Sequence, residues 1–184
     1  MRLAGPPEIP PTTRGPAPAT MPPQRDTAHV TEVQQQTLSP LLSGPWSTEQ
    51  IEEFLGSSII PIRLATSGRS GPLVQSMWFL WRDGRLWCAT QASAVVAQRL
   101  AGDPRCAFEV AGDVPPYRGV RGQGIAELIP EAGPQVLTAL LQRYLGSTHS
   151  GLATWLLSRS ETEVAIAIRP EHLTSWDFRR RMQE

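Results

Sequence analysis

Residues 46–180 predict a mainly β domain with short helices, folded as a barrel of about six antiparallel strands. Three observations carry this expectation. Short runs of alternating apolar and polar residues follow one another between residues 58 and 168, which is the two-residue period of strands. Asp83-Gly84 lies between two such runs and matches a tight hairpin turn. Gly119, Gly122 and Gly124 interrupt the long run from Tyr117 to Ile129, as bends or close backbone approach at the corners of a barrel require.

The elements follow in order. Ten of the 18 prolines fall within residues 1–45. With few aliphatic residues and no periodicity, that stretch is expected to be a disordered, partly polyproline-like tail. Ser47-Thr48-Glu49-Gln50 reads as a capping box, and Ile51, Phe54 and Leu55 give a short helix one apolar stripe, with Gly56 as its stop. Strands are expected over 58–67, 72–81 and 85–90, joined as a meander. Ser93 to Leu100 reads as a short helix ended by Gly102-Asp103-Pro104. Further strands are expected over 105–111 and 117–129. Val136, Leu137, Leu140, Leu141, Tyr144 and Leu145 form one face of a helix over 134–145, capped by Gly146, with a smaller helix over 151–158. Val164, Ile166 and Ile168 alternate in a last core strand that Pro170 is expected to end, and an edge strand follows over 173–178.

Composition narrows the function classes. Seventeen basic residues balance 17 acidic ones in 184 residues, which argues against duplex DNA or an anionic membrane as a mainly electrostatic partner. Every basic side chain other than histidine is arginine, so a bound phosphate must be gripped by guanidinium groups, backbone N–H groups or hydroxyls, and no Schiff-base lysine exists. Cys88 and Cys106 lie in strand-like runs with no CxxC partner, and are expected to be buried and reduced. His29, His149 and His172 have no metal-ligand spacing, so no metal site is expected. No apolar stretch approaches the ~20 residues of a membrane span, and the N-terminus lacks a signal pattern, so a soluble cytoplasmic protein is expected. Gly122-Gln123-Gly124 lacks the third glycine of a dinucleotide fingerprint and lies in a strand; no Walker loop or Gly-x-Ser-x-Gly motif occurs.

An ordered set of short motifs over about 120 residues resembles the pyridoxamine-phosphate-oxidase-like split-barrel flavoproteins. The set is Ile62-Arg63-Leu64-Ala65-Thr66, Gly71-Pro72, Met77-Trp78-Phe79, Asp83-Gly84-Arg85-Leu86-Trp87, Thr90 with Ser93, Leu100, Asp103-Pro104-Arg105, and Arg118 to Gly124. The resemblance implies an α+β, FMN-binding type of split barrel. It also implies a homodimer with FMN, or alternatively the deazaflavin F420, in clefts between subunits. Met77 and Trp78 are implied to run beside the ring, Thr90 and Ser93 to lie near the phosphate, and Trp176 to approach the cofactor from the C-terminal side. Val96 stands where the family has a lysine, and Val74 where the true oxidases carry an arginine, so vitamin B6 oxidation is not expected. Arg63, Arg69, Arg99, Arg118 and Arg121 are left as phosphate ligands. The function this implies is a flavin-dependent oxidoreductase acting on a small molecule, with water or Tyr117 as proton source. The alternative is a non-catalytic barrel that holds flavin or, less favoured, haem.

Overall fold

The structure is a computed structural model and describes residues 40–183. Most of the expected tail, residues 1–39, lies outside the described residues. Residues 40–45, assigned to that tail from their prolines, belong to the fold: β1 (Leu41–Ser43) pairs in parallel with residues 172–174. A three-residue strand with Leu41 and Leu42 both exposed has no periodicity to read.

Helix α1 (Thr48–Ser57) opens with both halves of the expected capping box. The Ser47 hydroxyl accepts from the Gln50 amide, and Gln50 Oε1 accepts from the Ser47 N–H at 3.0 Å. Ile51 and Leu55 are buried in the main core, and the helix runs through Gly56 to end at Ser57. A hairpin follows, β2 (Ile62–Thr66) with β3 (Leu73–Met77), and then a second, β4 (Leu80–Arg82) with β5 (Arg85–Gln91). The second turns through Asp83 (φ 53°) and Gly84 (φ 68°), the left-handed pair that an Asp-Gly turn supplies.

The single strand expected over 72–81 is therefore two strands, and the meander is absent. The sheet order is β3-β2-β6-β7-β8-β5-β4, so β3 and β4 form opposite ends of the hydrogen-bonded path. Only Trp78 and Phe79 separate them in sequence, a span of about 10 Å from Met77 to Leu80. Laid flat, the seven strands would hold their edges roughly 29 Å apart at about 4.8 Å per gap. The sheet must curl until its edges nearly meet, which makes it a split barrel.

Helix α2 (Val95–Gly102) leads to β6 (Arg105–Ala111) and β7 (Arg118–Ile129); then come α3 (Gly133–Leu145), α4 (Gly151–Leu157) and β8 (Glu163–Asp177). Strand β8 does not stop at Pro170 as expected. It runs 15 residues, because Pro170 lies opposite Gly124 at a register shift between Gln123 and Gly124, where a missing N–H breaks no regular ladder bond. A Cβ at Gly124 would lie 2.4 Å from the Arg169 carbonyl oxygen, so this crossing needs glycine. With β1 added, 72–81 divided and the last two expected strands fused, the seven expected runs become eight strands, against the barrel of about six that was expected.

The barrel interior is filled by Phe79, Leu86, Leu64, Val110, Ile166 and Ile168, all fully buried. Burial of such side chains stabilises by about 1.5–3 kcal/mol each. Cys88 and Cys106 are free thiols in the same interior, and burial pushes both up to about 12. Helix α3 packs outside, setting Val136 and Leu140 against Ala165 of β8. Among the described residues no helix is long and apolar enough to cross a membrane, and no three His, Cys, Asp or Glu side chains cluster as metal ligands.

Candidate functional site

Where α3 and α4 cover the outside of β5 and β8, they leave a groove of about 440 Å³ beside the last residues of β3. One wall is Met77 and Trp78, where the chain leaves β3, and opposite stand Leu137, Leu140 and Leu156. Trp78 stacks on Tyr144 of α3, with ring centroids 5.1 Å apart and planes 12° apart. The Tyr144 hydroxyl is itself fixed, accepting from the Phe79 N–H at 3.3 Å and reaching the Ile60 carbonyl at 3.4 Å. Burial is the main cause that raises the Tyr144 hydroxyl above its ordinary pKa.

The other end of the groove is polar. Thr90 and Gln91 close β5 and pair with Val164 and Glu163 at the start of β8. The Gln91 amide is held on both sides: its oxygen accepts from the Thr162 hydroxyl, and its nitrogen donates to Glu163 Oε1. Glu163 is 5% exposed, and its Oε2 has no hydrogen-bond partner. Burial raises its carboxyl pKa, against the lowering by the Gln91 bond and by the charge of Arg159. Arg159 lines the groove and lies over the Trp155 ring at 4.2 Å.

Of the eight residues singled out from the sequence, Met77, Trp78 and Thr90 meet in this groove. Ser93 is exposed in the turn before α2; the helix N-cap is Ala94, and the Ser93 carbonyl accepts from Gln98. Arg99 is engaged elsewhere, donating to the Thr66 carbonyl (3.3 Å), the Gly71 carbonyl (2.9 Å) and the Ser70 hydroxyl (3.3 Å), which ties down the β2–β3 turn.

Arg63 and Arg121 line a different groove of about 520 Å³ across β2, β6, β7 and β8. There Arg63 pairs with Glu109 at 3.3 Å and donates to the Ala111 carbonyl at 3.2 Å. Arg121 faces Trp176, at 5.9 Å from its ring centroid. Val74, at the arginine position, is 62% exposed in this second groove, and Val96, at the lysine position, is fully buried in the core.

Gln91, Arg159 and Glu163 were missed from the sequence. Gln91 adjoins Thr90 and could have been found by extending that motif by one residue. Arg159 and Glu163 lie roughly seventy residues further along, in a stretch with no motif, and only the β5–β8 pairing brings them in.

This arrangement offers an apolar wall suited to a flat ring and a polar end suited to hydroxyl groups. Among the described residues Arg159 is the one cation lining the groove, near enough to Glu163 for its charge to act on that carboxyl. A ring and a hydroxylated chain fit these residues, and a terminal phosphate at the polar end would have Arg159 as its one cation among the described residues.

No family model matches the chain, and no curated protein matches it. Solved structures do. A conserved hypothetical protein from Mycobacterium tuberculosis is 31% identical, with a TM-score of 0.63, over 75% of this chain and 89% of that one. An F420 reductase is 25% identical, with a TM-score of 0.56, over 66% of this chain and 94% of that one. A Listeria innocua protein named for pyridoxamine 5'-phosphate oxidase is 17% identical, with a TM-score of 0.55, over 69% and 95%; that likeness is one of fold.

Proposed function

Because the chain belongs to the pyridoxamine-phosphate-oxidase-like split-barrel family, we propose that it is a flavin-dependent oxidoreductase using FMN or F420 on a small organic substrate. The observation that carries this reading is the groove itself, in which Met77, Trp78 and Thr90 converge as the family pattern implies. A bound flavin or deazaflavin supplies the hydride chemistry. The chain's part is to hold and shield it. Trp78, braced by Tyr144, gives the ring a rigid wall; Leu137, Leu140 and Leu156 keep water from it; Thr90 and Gln91 receive the polar chain. Tyr117, expected as a proton source, does not line this groove. The 25% identity to an F420 reductase favours the deazaflavin over FMN.

The second groove supports a homodimer in this reading. Val74 leaves an exposed apolar side chain there beside Ala65 and Ala107, on a face that a second copy would cover. A cytoplasmic location goes with the same reading.

The test is spectroscopic. The purified full-length protein, titrated with FMN, F420 and hemin, is expected to take up flavin or deazaflavin, with a shifted visible band that bleaches on reduction. Turnover with reduced F420 or NADPH then marks an enzyme. Binding without turnover supports the second reading, a non-catalytic flavin or haem carrier. Failure to bind any of the three removes both. Sedimentation equilibrium tests the dimer, and a monomer would remove the seam between subunits.

A further inference from the structure

Resting on that reading, we propose that Arg159, at the junction of α4 and β8, grips the phosphate on the cofactor's ribityl chain, a role for which the sequence pattern points to other positions.

Those other positions do not serve this groove. Val96, at the lysine position, is buried in the core, and Val74, at the arginine position, lies in the second groove. Arg63 and Arg121 line that second groove, with Arg63 paired to Glu109. Arg99 has donated to two carbonyls and a hydroxyl, and Arg69 lies with it in a further groove. Arg118 opens β7 and does not line the groove beside Trp78. A ring set against Trp78, with its chain running to Thr90, meets one cation among the described residues, and that cation is Arg159.

Arg159 is also held in place before any ligand arrives. Its carbonyl accepts from the Thr162 hydroxyl at 3.0 Å and from the Gln91 amide at 3.4 Å, and its N–H donates to the Leu156 carbonyl at 3.2 Å. These bonds tie its main chain to α4, to the end of β5 and to the turn before β8. Its guanidinium lies over the Trp155 ring at 4.2 Å, a contact that orients the side chain through its face and leaves the N–H groups at its edge free. Among the described residues that guanidinium has no hydrogen-bond or ion-pair partner. A planar fork of unused donors matches two oxygens of a phosphate. A side chain placed beforehand loses less freedom when the ligand binds.

Glu163 is the anion at the same end, and it does not compete for this fork. It is 5% exposed and its Oε1 accepts from the Gln91 amide, whereas Arg159 is exposed. A ligand entering from solvent reaches the guanidinium, while the carboxyl is covered.

The experiment titrates the full-length wild type and Arg159→Gln with two pairs of ligands, by fluorescence at low salt. One pair is riboflavin and FMN; the other is F420 and its phosphate-free deazaflavin core. Wild type is expected to bind FMN at least about tenfold more tightly than riboflavin, and F420 more tightly than its core, since hydrogen bonds between charged groups are the strong ones. Raising the salt to about 0.5 M should narrow both gaps, because the guanidinium is exposed and its charge is screened. In Arg159→Gln the preference for FMN should fall about tenfold, while riboflavin binds as it does to wild type. Unchanged riboflavin binding shows that the variant is folded and that its ring site is intact.

The inference is overturned if wild type binds each phosphate-free ligand as tightly as its phosphorylated partner, or if Arg159→Gln leaves both ratios unchanged. It is overturned equally if the variant weakens both members of a pair alike. Binding of none of the four by wild type removes the functional reading and this inference together, whereas binding with the wrong ratio removes the inference alone. The wild-type ratios need no variant, so misfolding of Arg159→Gln cannot shield the proposal.

Discussion

Arg99, set against the turn joining β2 to β3, and Arg159, in the groove beneath α4, are two arginines whose guanidinium groups keep different company. In the turn, Arg99 donates to the carbonyls of Thr66 and Gly71 and to the Ser70 hydroxyl. Beneath α4, Arg159 lies across the face of Trp155 and beside Glu163. Main-chain carbonyls fill donors and make the first arginine a clamp on the chain. An aromatic face orients the second without occupying its N–H groups. Residue type alone does not distinguish a strut from a site; the acceptors around it do.

Three substitutions test that division, in falling order of effect. Trp78→Ala should be the most damaging, because it strips the groove wall and the Tyr144 stack together. A loss of about 2–3 kcal/mol in urea unfolding is expected, along with loss of riboflavin and F420 binding by fluorescence. Arg99→Ala should lower stability by about 1–2 kcal/mol and leave ligand affinity where it was. Lost affinity at unchanged stability would instead make Arg99 a ligand and collapse the comparison. Thr90→Val should do the reverse: stability within about 0.5 kcal/mol and affinity down about fivefold for the loss of one hydroxyl bond, both read from the same two titrations.

The same division explains what could be read in advance. Positions set by alternation or by turn chemistry were legible: the Ser47 capping box, the Asp83-Gly84 turn and the α3 stripe; Met77, Trp78 and Thr90, which line one groove, were named from the family resemblance. Short strand residues have little freedom, so register fixes where they lie. Arginines were not legible. Arg63, Arg99 and Arg121 were named for phosphate, yet a side chain of four rotatable bonds settles on whatever acceptor or ring its fold brings near. Two further features were hidden for topological reasons. Pro170 reads locally as a strand end, and only the bulge opposite Gly124 lets β8 continue. Glu163 lies in a stretch without a motif, and only the β5–β8 pairing brings it, buried, against Gln91.

Arg179 completes the comparison as an arginine that is neither clamp nor part of a groove. Half exposed, it reaches Asp177 at 2.6 Å, and Asp177 also accepts from the Trp46 indole at 3.2 Å, linking the entry to α1 with the end of β8. The Arg179 guanidinium holds the Asp177 carboxyl down to about 2, below its ordinary value of about 3.9. A carboxyl whose pKa is lower folded than unfolded stabilises the protein above the unfolded value. That contribution fades as the pH falls towards the folded one. Thermal midpoints of wild type and Asp177→Asn should therefore differ slightly at neutral pH and converge between about pH 4 and about pH 2. The effect should be the smallest of the four, because water screens an exposed pair and added salt weakens it further. A gap that stayed constant to the acid end would assign the link to the Trp46 bond and leave Arg179 without a measurable part in it.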